Sequence, residues 1–209
     1  MSKKISLLIF FVPIISVSIS YLISTFFNYV PWCIPFTDGC TSISKVGRYG
    51  ISFYIYKIFL IPVAILLIYF WFKIYLEIYK NIFLLIMSLI ASIALIIYLS
   101  SLGFDGSIYR FMREVGIFFF FILMPLTQIL VTSLAPPDHF KTKFFIFLIL
   151  ISYSLLLFAY LKILTLDNTN YENIIEWNFA FLIFLFFPVF EFSRKIISVS
   201  YTHLTLPTT

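Results

Sequence analysis

A few charged residues between long apolar runs carry the chemistry that this sequence can offer. Arg48 and Lys57 flank the start of one run, Arg113 and Glu114 precede a second, and Glu176 opens a third. Ionisable groups at such positions are costly in lipid unless they are paired or face water, so they are candidate site residues. The three cations are suited to bind a lipid phosphate. Glu114 or Glu176 can act as a counter-ion or, in an enzyme, as the catalytic general base.

A second interpretation of the same residues stays open. Cations near helix ends commonly extend their head groups to the membrane surface and form local ion pairs. Tyr and Trp residues collect at the same depth. The two interpretations can be told apart by the positions of these side chains. A binding site requires them to line one cavity, whereas surface ion pairs do not.

Several classes of chemistry lack the residues they need. The histidines are His139 and His203, and the cysteines are Cys33 and Cys40, so we expect no metal site. We find neither a phosphate-binding GxxxxGK[ST] motif nor GxGxxG, and expect no cofactor. The 14 basic residues are too scattered to indicate nucleic acid. Whether the chain is an enzyme stays uncertain; such an enzyme would rely on carboxylates, Lys or Tyr.

The elements that position these residues are transmembrane helices. The chain is 62% hydrophobic and 11% charged, which is far more apolar than a soluble domain. Apolar runs of about 20 residues predict an all-α, polytopic membrane protein. We predict one domain, residues 1–198, in which six helices form a single bundle. The predicted spans are 5–27, 53–72, 82–104, 115–135, 144–164 and 174–192.

The basic residues predict the orientation of these spans. One side holds eight of them: Lys3, Lys4, Lys73, Lys80, Lys141, Lys143, Arg194 and Lys195. The other side holds six: Lys45, Arg48, Lys57, Arg110, Arg113 and Lys162. Because the more basic side faces the cytoplasm, both termini are predicted to be cytoplasmic. Within the membrane, Gln128 is expected to hydrogen-bond to another helix rather than to a substrate.

The polar segment 33–50 then lies outside the cytoplasm, where thiols can oxidise. Cys33 and Cys40 bracket Pro35 and Gly39 and can close a small disulfide loop. The alternative is a pair of free cysteines near the membrane surface.

The last residues, 199–209, differ from the rest of the chain, since they lack Phe and Ile. Their back-translation begins with a transposon-end sequencing adapter. We therefore attribute this segment to an assembly artefact and exclude it from functional reasoning. Such an origin favours a microbial source, and hence a bacterial inner (plasma) membrane.

Three short motifs resemble the DRAM/Frag/Sfk-type six-transmembrane family, which includes damage-regulated autophagy modulators, FGF-receptor-activating protein, suppressor of four kinase and GPI-lipid-remodelling relatives. They are Ile43-Ser44-x-x-Gly47 in the polar segment, Arg113-Glu114-Val115-Gly116 at the fourth span and Glu176-Trp177 at the sixth. The resemblance covers residues 1–195. It implies a lipid-related membrane protein with both ends in the cytoplasm.

The sequence thus favours a membrane protein that binds or organises lipids at the outer leaflet, with membrane lipids as its partners. The alternative is a membrane-embedded enzyme that modifies lipids at the extracytoplasmic interface, using Glu114 or Glu176 with Arg113. A small transporter has less support, because few ionisable residues lie at mid-membrane depth.

Overall fold

The computed structural model describes residues 3–134, 153 and 169–202, and every regular element in these ranges is a helix. The chain folds into α1 (Lys3–Phe26), α2 (Pro35–Asp38), α3 (Ile43–Val46), α4 (Gly50–Glu77), α5 (Ile82–Ser101), α6 (Ser107–Ser133) and α7 (Thr169–Thr202). The helices α2 and α3 are single turns in the connection between α1 and α4. We call residues 27–49 the cap.

Five of the described helices, α1, α4, α5, α6 and α7, are long and apolar enough to cross a membrane. The prediction of an all-helical chain is confirmed for the described residues, which have the helix lengths and composition of a multi-pass membrane protein. The five helices overlap the predicted spans 5–27, 53–72, 82–104, 115–135 and 174–192. The remaining predicted span, 144–164, lies outside the described residues apart from Tyr153.

Two helix boundaries differ clearly from the sequence prediction, the start of α6 and the end of α7. Helix α6 begins at Ser107, well before the predicted start at 115, so Arg110, Arg113 and Glu114 lie in its opening turns. Charged residues end an apolar run without ending a helix, and the i, i+4 pair of Arg110 and Glu114 supports the additional turns. At the other boundary of the chain, α7 continues to Thr202, and residues 203–209 lie outside the described ranges.

The long helices pack side by side, with α4 between α1 and α5, α6 against α5, and α7 against α1. The end of α1, the starts of α4, α6 and α7, and the end of α5 meet the cap at one end of the bundle, the cap end. At the opposite end, the ammonium of Lys3 in α1 lies 5.3 Å from the ring centroid of Phe192 in α7. Helix α6 therefore ends, and α7 begins, at opposite ends of the bundle.

Aromatic packing and small polar side chains hold the helices together. Phe70 of α4 packs edge-on against Phe187 of α7, with ring centroids 4.9 Å apart. A Cβ atom at Gly116 would lie 2.7 Å from the carbonyl oxygen of Ala94, so α5 and α6 are in backbone contact. Between α1 and α4, the hydroxyl of Ser24 donates to that of Ser52 at 2.8 Å. Small residues and buried hydroxyls are typical of helix contacts in membranes.

The amide of Gln128 links three parts of the chain, as the sequence predicts for a hydrogen bond between helices. Its Nε2 atom donates to the Ile183 carbonyl at 2.9 Å, and its Oε1 atom accepts from the Tyr153 hydroxyl at 2.7 Å. Gln128 is 1% exposed, so both ends of its side chain are satisfied within the protein.

Candidate functional site

The cap is a small folded unit closed by a disulfide between Cys33 and Cys40, whose Cα atoms are 6.5 Å apart. Inside this loop, α2 starts at Pro35 and ends at Gly39, which has the left-handed φ of 62°. The carboxylate of Asp38 accepts hydrogen bonds from the Ile34 amide and the Thr37 hydroxyl, both at 2.9 Å. These bonds to the charged form lower the pKa of Asp38.

Helix α1 anchors the disulfide loop through one tyrosine. The hydroxyl of Tyr21 donates to the Cys33 carbonyl at 2.7 Å and accepts from the Cys33 amide at 2.8 Å. A single side chain thus satisfies both backbone groups of Cys33.

Helix α7 holds the cap through three side-chain donors. Asn173 donates to the Gly39 carbonyl at 2.7 Å, Trp177 to the Thr41 carbonyl at 2.9 Å, and Asn178 to the Phe36 carbonyl at 3.0 Å. These donors repeat at helical spacing and lie on one face of α7. A Cβ atom at Gly39 would overlap the Asn170 carbonyl, so the contact requires glycine.

The segment Ile43-Ser44-x-x-Gly47 is the part of the cap that precedes α4, and it contacts α7. Gly47 packs on the ring of Tyr56, which a Cβ atom at that position would overlap. The backbone amides of Ile43 and Ser44 interact with the carboxylate of Glu176. The candidate carboxylate Glu176 is therefore already engaged by the cap.

Arg113 joins α6 to the end of α5. Its Nη1 atom donates to the carbonyls of Ser101, at 3.1 Å, and Phe104, at 2.8 Å. Ser101 is the last residue of α5 and Phe104 lies in the connection to α6, and a cation there opposes the dipole of α5. Beside it, Arg110 pairs with Glu114 at 2.9 Å, and both side chains are well exposed, at 77% and 63%.

Lys57 has a different environment from the two candidate arginines. Its ammonium donates to the Ser100 carbonyl at 3.0 Å and lies 4.3 Å and 4.4 Å from the ring centroids of Phe53 and Phe104. Cation–π contacts and a carbonyl bond account for its position. Lys57 does not line the cavity that the arginines share.

That shared cavity, which we call the polar cavity, has a volume of about 390 Å³ at the cap end. It is lined by Ser44, Arg48, Tyr98, Arg110, Arg113, Glu114 and Ile117. The structure thus brings together Arg48, Arg113 and Glu114 of the candidate residues, and places Glu176 elsewhere. Two of the lining atoms, Nε of Arg48 and the hydroxyl oxygen of Tyr98, are buried without a hydrogen-bond partner among the described residues.

An apolar cleft of about 90 Å³ adjoins the polar cavity, since Tyr98 and Ile117 line both. It lies between all five long helices, and its walls include Pro13, Val17, Leu60, Val63, Ala180 and Phe184. Glu176, Trp177 and Phe36 of the cap also line it. On α7, the lining residues extend from Glu176 to Phe184, about 12 Å along the helix axis.

Sequence reasoning did not identify Tyr98 as a site residue. It lies in an apolar run without charged neighbours, and tertiary packing against the cap and α6 places it beside Arg48 and Arg113. The sequence did contain one indication, a tyrosine within an apolar span. A buried tyrosine hydroxyl normally has a hydrogen-bond partner, so its position indicates polar neighbours.

Residues 3–134, 153 and 169–202 contain no group of three His, Cys, Asp or Glu side chains that could hold a metal ion. Comparison with known proteins finds no matching family model, no similar curated protein and no similar solved structure.

Proposed function

We propose that this chain is an integral membrane protein that binds a lipid at the outer leaflet, with the headgroup in the polar cavity and an acyl chain in the apolar cleft. The observation that carries the proposal is the adjacency of the two spaces, joined at Tyr98 and Ile117. A lipid has the same division, with a polar group next to hydrocarbon.

The dimensions support one acyl chain rather than a larger apolar ligand. The cleft follows α7 for about 12 Å, close to the ~15 Å of hydrocarbon in one leaflet. Its walls are mostly apolar side chains, as a hydrocarbon ligand requires. The polar cavity is several times larger and lies at the helix ends, where a headgroup would lie.

The proposal includes six spans with both termini in the cytoplasm and the cap outside, as in a bacterial inner membrane. The opposite positions of the end of α6 and the start of α7 support an even number of crossings. The Cys33–Cys40 disulfide supports an oxidising compartment at the cap end. Labelling of these thiols in reduced, intact cells tests the orientation, and labelling only after permeabilisation would contradict it.

Kinship with the DRAM/Frag/Sfk-type family is part of the proposal and rests on the three sequence motifs. In this fold, Gly47, Arg113 and Trp177 of those motifs all make the contacts that hold the cap end together. Lipid binding at the cap end agrees with what the resemblance implies.

A lipid-modifying enzyme is the alternative, and the geometry favours it less. Glu114 is paired with Arg110 and is 63% exposed, whereas Glu176 interacts with two backbone amides. Neither carboxylate is free to act as a general base in this arrangement. Lipid analysis of a deletion strain and of Glu114→Gln and Glu176→Gln strains separates the two; altered lipid structures in all three would favour the enzyme.

Native mass spectrometry of the protein purified in mild detergent tests the binding proposal. We expect one co-purified lipid per chain and its loss in Ala180→Phe, which fills the cleft. The matched control, Ile65→Phe, adds bulk to a side chain that is 56% exposed on the outer surface and should retain the lipid. Equal lipid retention in both variants would contradict the proposal.

A further inference from the structure

The polar cavity has an excess of positive charge. Its lining contains Arg48, Arg110 and Arg113 against the single carboxylate of Glu114. That carboxylate is paired with Arg110 at 2.9 Å. The charges of Arg48 and Arg113 are therefore not compensated by a carboxylate within the cavity lining.

The groups without hydrogen-bond partners in this cavity can both donate. The Nε–H of Arg48 is a donor only, and the Tyr98 hydroxyl donates one hydrogen bond. Neither atom has a partner within 3.5 Å among the described residues, and both are buried, with Tyr98 only 4% exposed. The Tyr98 hydroxyl also interacts with the hydroxyl of Tyr56. Leaving such a group unsatisfied is unfavourable, and more so when it is charged. The missing partner is therefore a hydrogen-bond acceptor.

A phosphate matches the charges and hydrogen-bond donors of the polar cavity better than other lipid groups do. Its oxygens accept several bonds at once and carry the negative charge that the arginines lack, whereas ester carbonyls are neutral. A headgroup ammonium, as in choline or ethanolamine lipids, would meet two uncompensated arginines and no unpaired carboxylate in the cavity lining. Like charges so close together are unfavourable.

We infer that the site selects an anionic phospholipid without a headgroup cation, an inference that rests on the proposed lipid-binding function. The phosphate of this lipid accepts hydrogen bonds from Arg48 and Tyr98. Arg113 contributes charge while its Nη1 atom holds the end of α5. The lipid class is that of phosphatidic acid and phosphatidylglycerol.

The test measures binding of short-chain phosphatidylglycerol, phosphatidic acid and phosphatidylcholine to the purified, delipidated protein, with inorganic phosphate as a separate arm. We expect both anionic lipids to bind at least tenfold more tightly than phosphatidylcholine. Arg48→Gln and Tyr98→Phe should reduce this preference to less than threefold. Lys45→Gln and Tyr54→Phe are matched controls, since both residues are exposed at the same end and outside the cavity, and they should keep it.

The outcomes separate this inference from the proposed function. Equal binding of anionic and choline lipids, abolished by Ala180→Phe, would overturn the inference and leave lipid binding intact. Binding of no lipid would overturn both. Inorganic phosphate that binds as tightly as phosphatidic acid would identify a site for free phosphate and overturn the inference. Arg48→Lys is a milder variant that controls for misfolding, because it keeps the positive charge and loses only the Nε donor. It should show a weakened preference for anionic lipids.

Discussion

The two ends of the helix bundle use their polar residues in different ways. At the cap end, a disulfide, three donors on α7 and Arg113 fix the connecting segments to the helices. At the opposite end, Lys73 pairs with Glu77 at 2.9 Å, with side chains 34% and 35% exposed, and Asn81 caps α5. The cap end is thus a tertiary structure built on the membrane helices, whereas the Lys73–Glu77 pair and the Asn81 cap are interactions within or next to one helix.

The glycines are also distributed unequally between the two ends of the bundle. All six glycines of the chain lie in the cap, at the start of α4, in the connection between α5 and α6, or in the first half of α6. Four of them have positive φ, and several contact a ring or a backbone so closely that a Cβ atom would overlap it. These contacts fix the backbone conformation at the cap end, as expected if a binding site lies there. Substitutions at the cap end should therefore cost more stability than substitutions at the other end.

The largest effect is expected for Gly39→Val. Valine at φ 62° is strained, and its Cβ atom would overlap the Asn170 carbonyl, so we expect a loss of about 3 kcal/mol. Thermal unfolding in detergent measures it, as a decrease in Tm of roughly 10 °C. Gly50→Val is the control, because its φ of 55° is similar but the nearest atom to a Cβ is a Tyr29 ring carbon, 3.1 Å away, rather than a carbonyl of α7. Equal decreases for the two variants would show that the contact with α7 contributes nothing.

Opening the disulfide should have the next largest effect. Closing a loop of this length stabilises the folded state by roughly 2.5 kcal/mol on the chain-entropy account. We expect the Cys33→Ser, Cys40→Ser double variant to unfold at a lower temperature than the wild type. A reducing agent should lower the Tm of the wild type to that of the variant and leave the variant unchanged. A reductant-insensitive wild type would argue against a stabilising disulfide.

Removing one donor between α7 and the cap should cost less. Trp177→Phe keeps an aromatic ring but loses the hydrogen bond to the Thr41 carbonyl, for which we expect about 1 kcal/mol. Trp32→Phe is the control, since Trp32 is 75% exposed. Thermal unfolding compares the two, and a control as destabilised as Trp177→Phe would show that the hydrogen bond is not the cause.

The smallest loss of stability is expected for a substitution at the end of the bundle opposite the cap. Glu77→Gln removes the partly exposed pair with Lys73, and we expect the smallest decrease in Tm of the four variants, decreasing further at high salt. The measurement is again thermal unfolding, at low and high ionic strength. A loss as large as that of the disulfide variant would show that the two ends are equally structured.

The sequence predicted the fold better than the site, for physical reasons. Long apolar runs identify membrane helices because the bilayer requires them, and the five described spans follow those runs. The start of α6 was placed too late because charges interrupt apolarity rather than helix formation. Arg48, Arg113 and Glu114 were selected by charge and share a cavity, whereas Lys57 lies between two rings. Tyr98 was missed, since its polar neighbours Arg48 and Arg113 are distant from it in the sequence.

The central claim, a lipid chain held inside the bundle, is tested most directly by photo-crosslinking. Phosphatidylglycerol with a diazirine at mid-chain is bound to the purified protein, irradiated, and the modified residues are mapped by mass spectrometry. We predict crosslinks to the cleft residues Leu60 and Ala180, lost in the Ala180→Phe protein. Crosslinks confined to outward-facing residues such as Ile58 and Ile65, and unchanged by that substitution, would contradict the account.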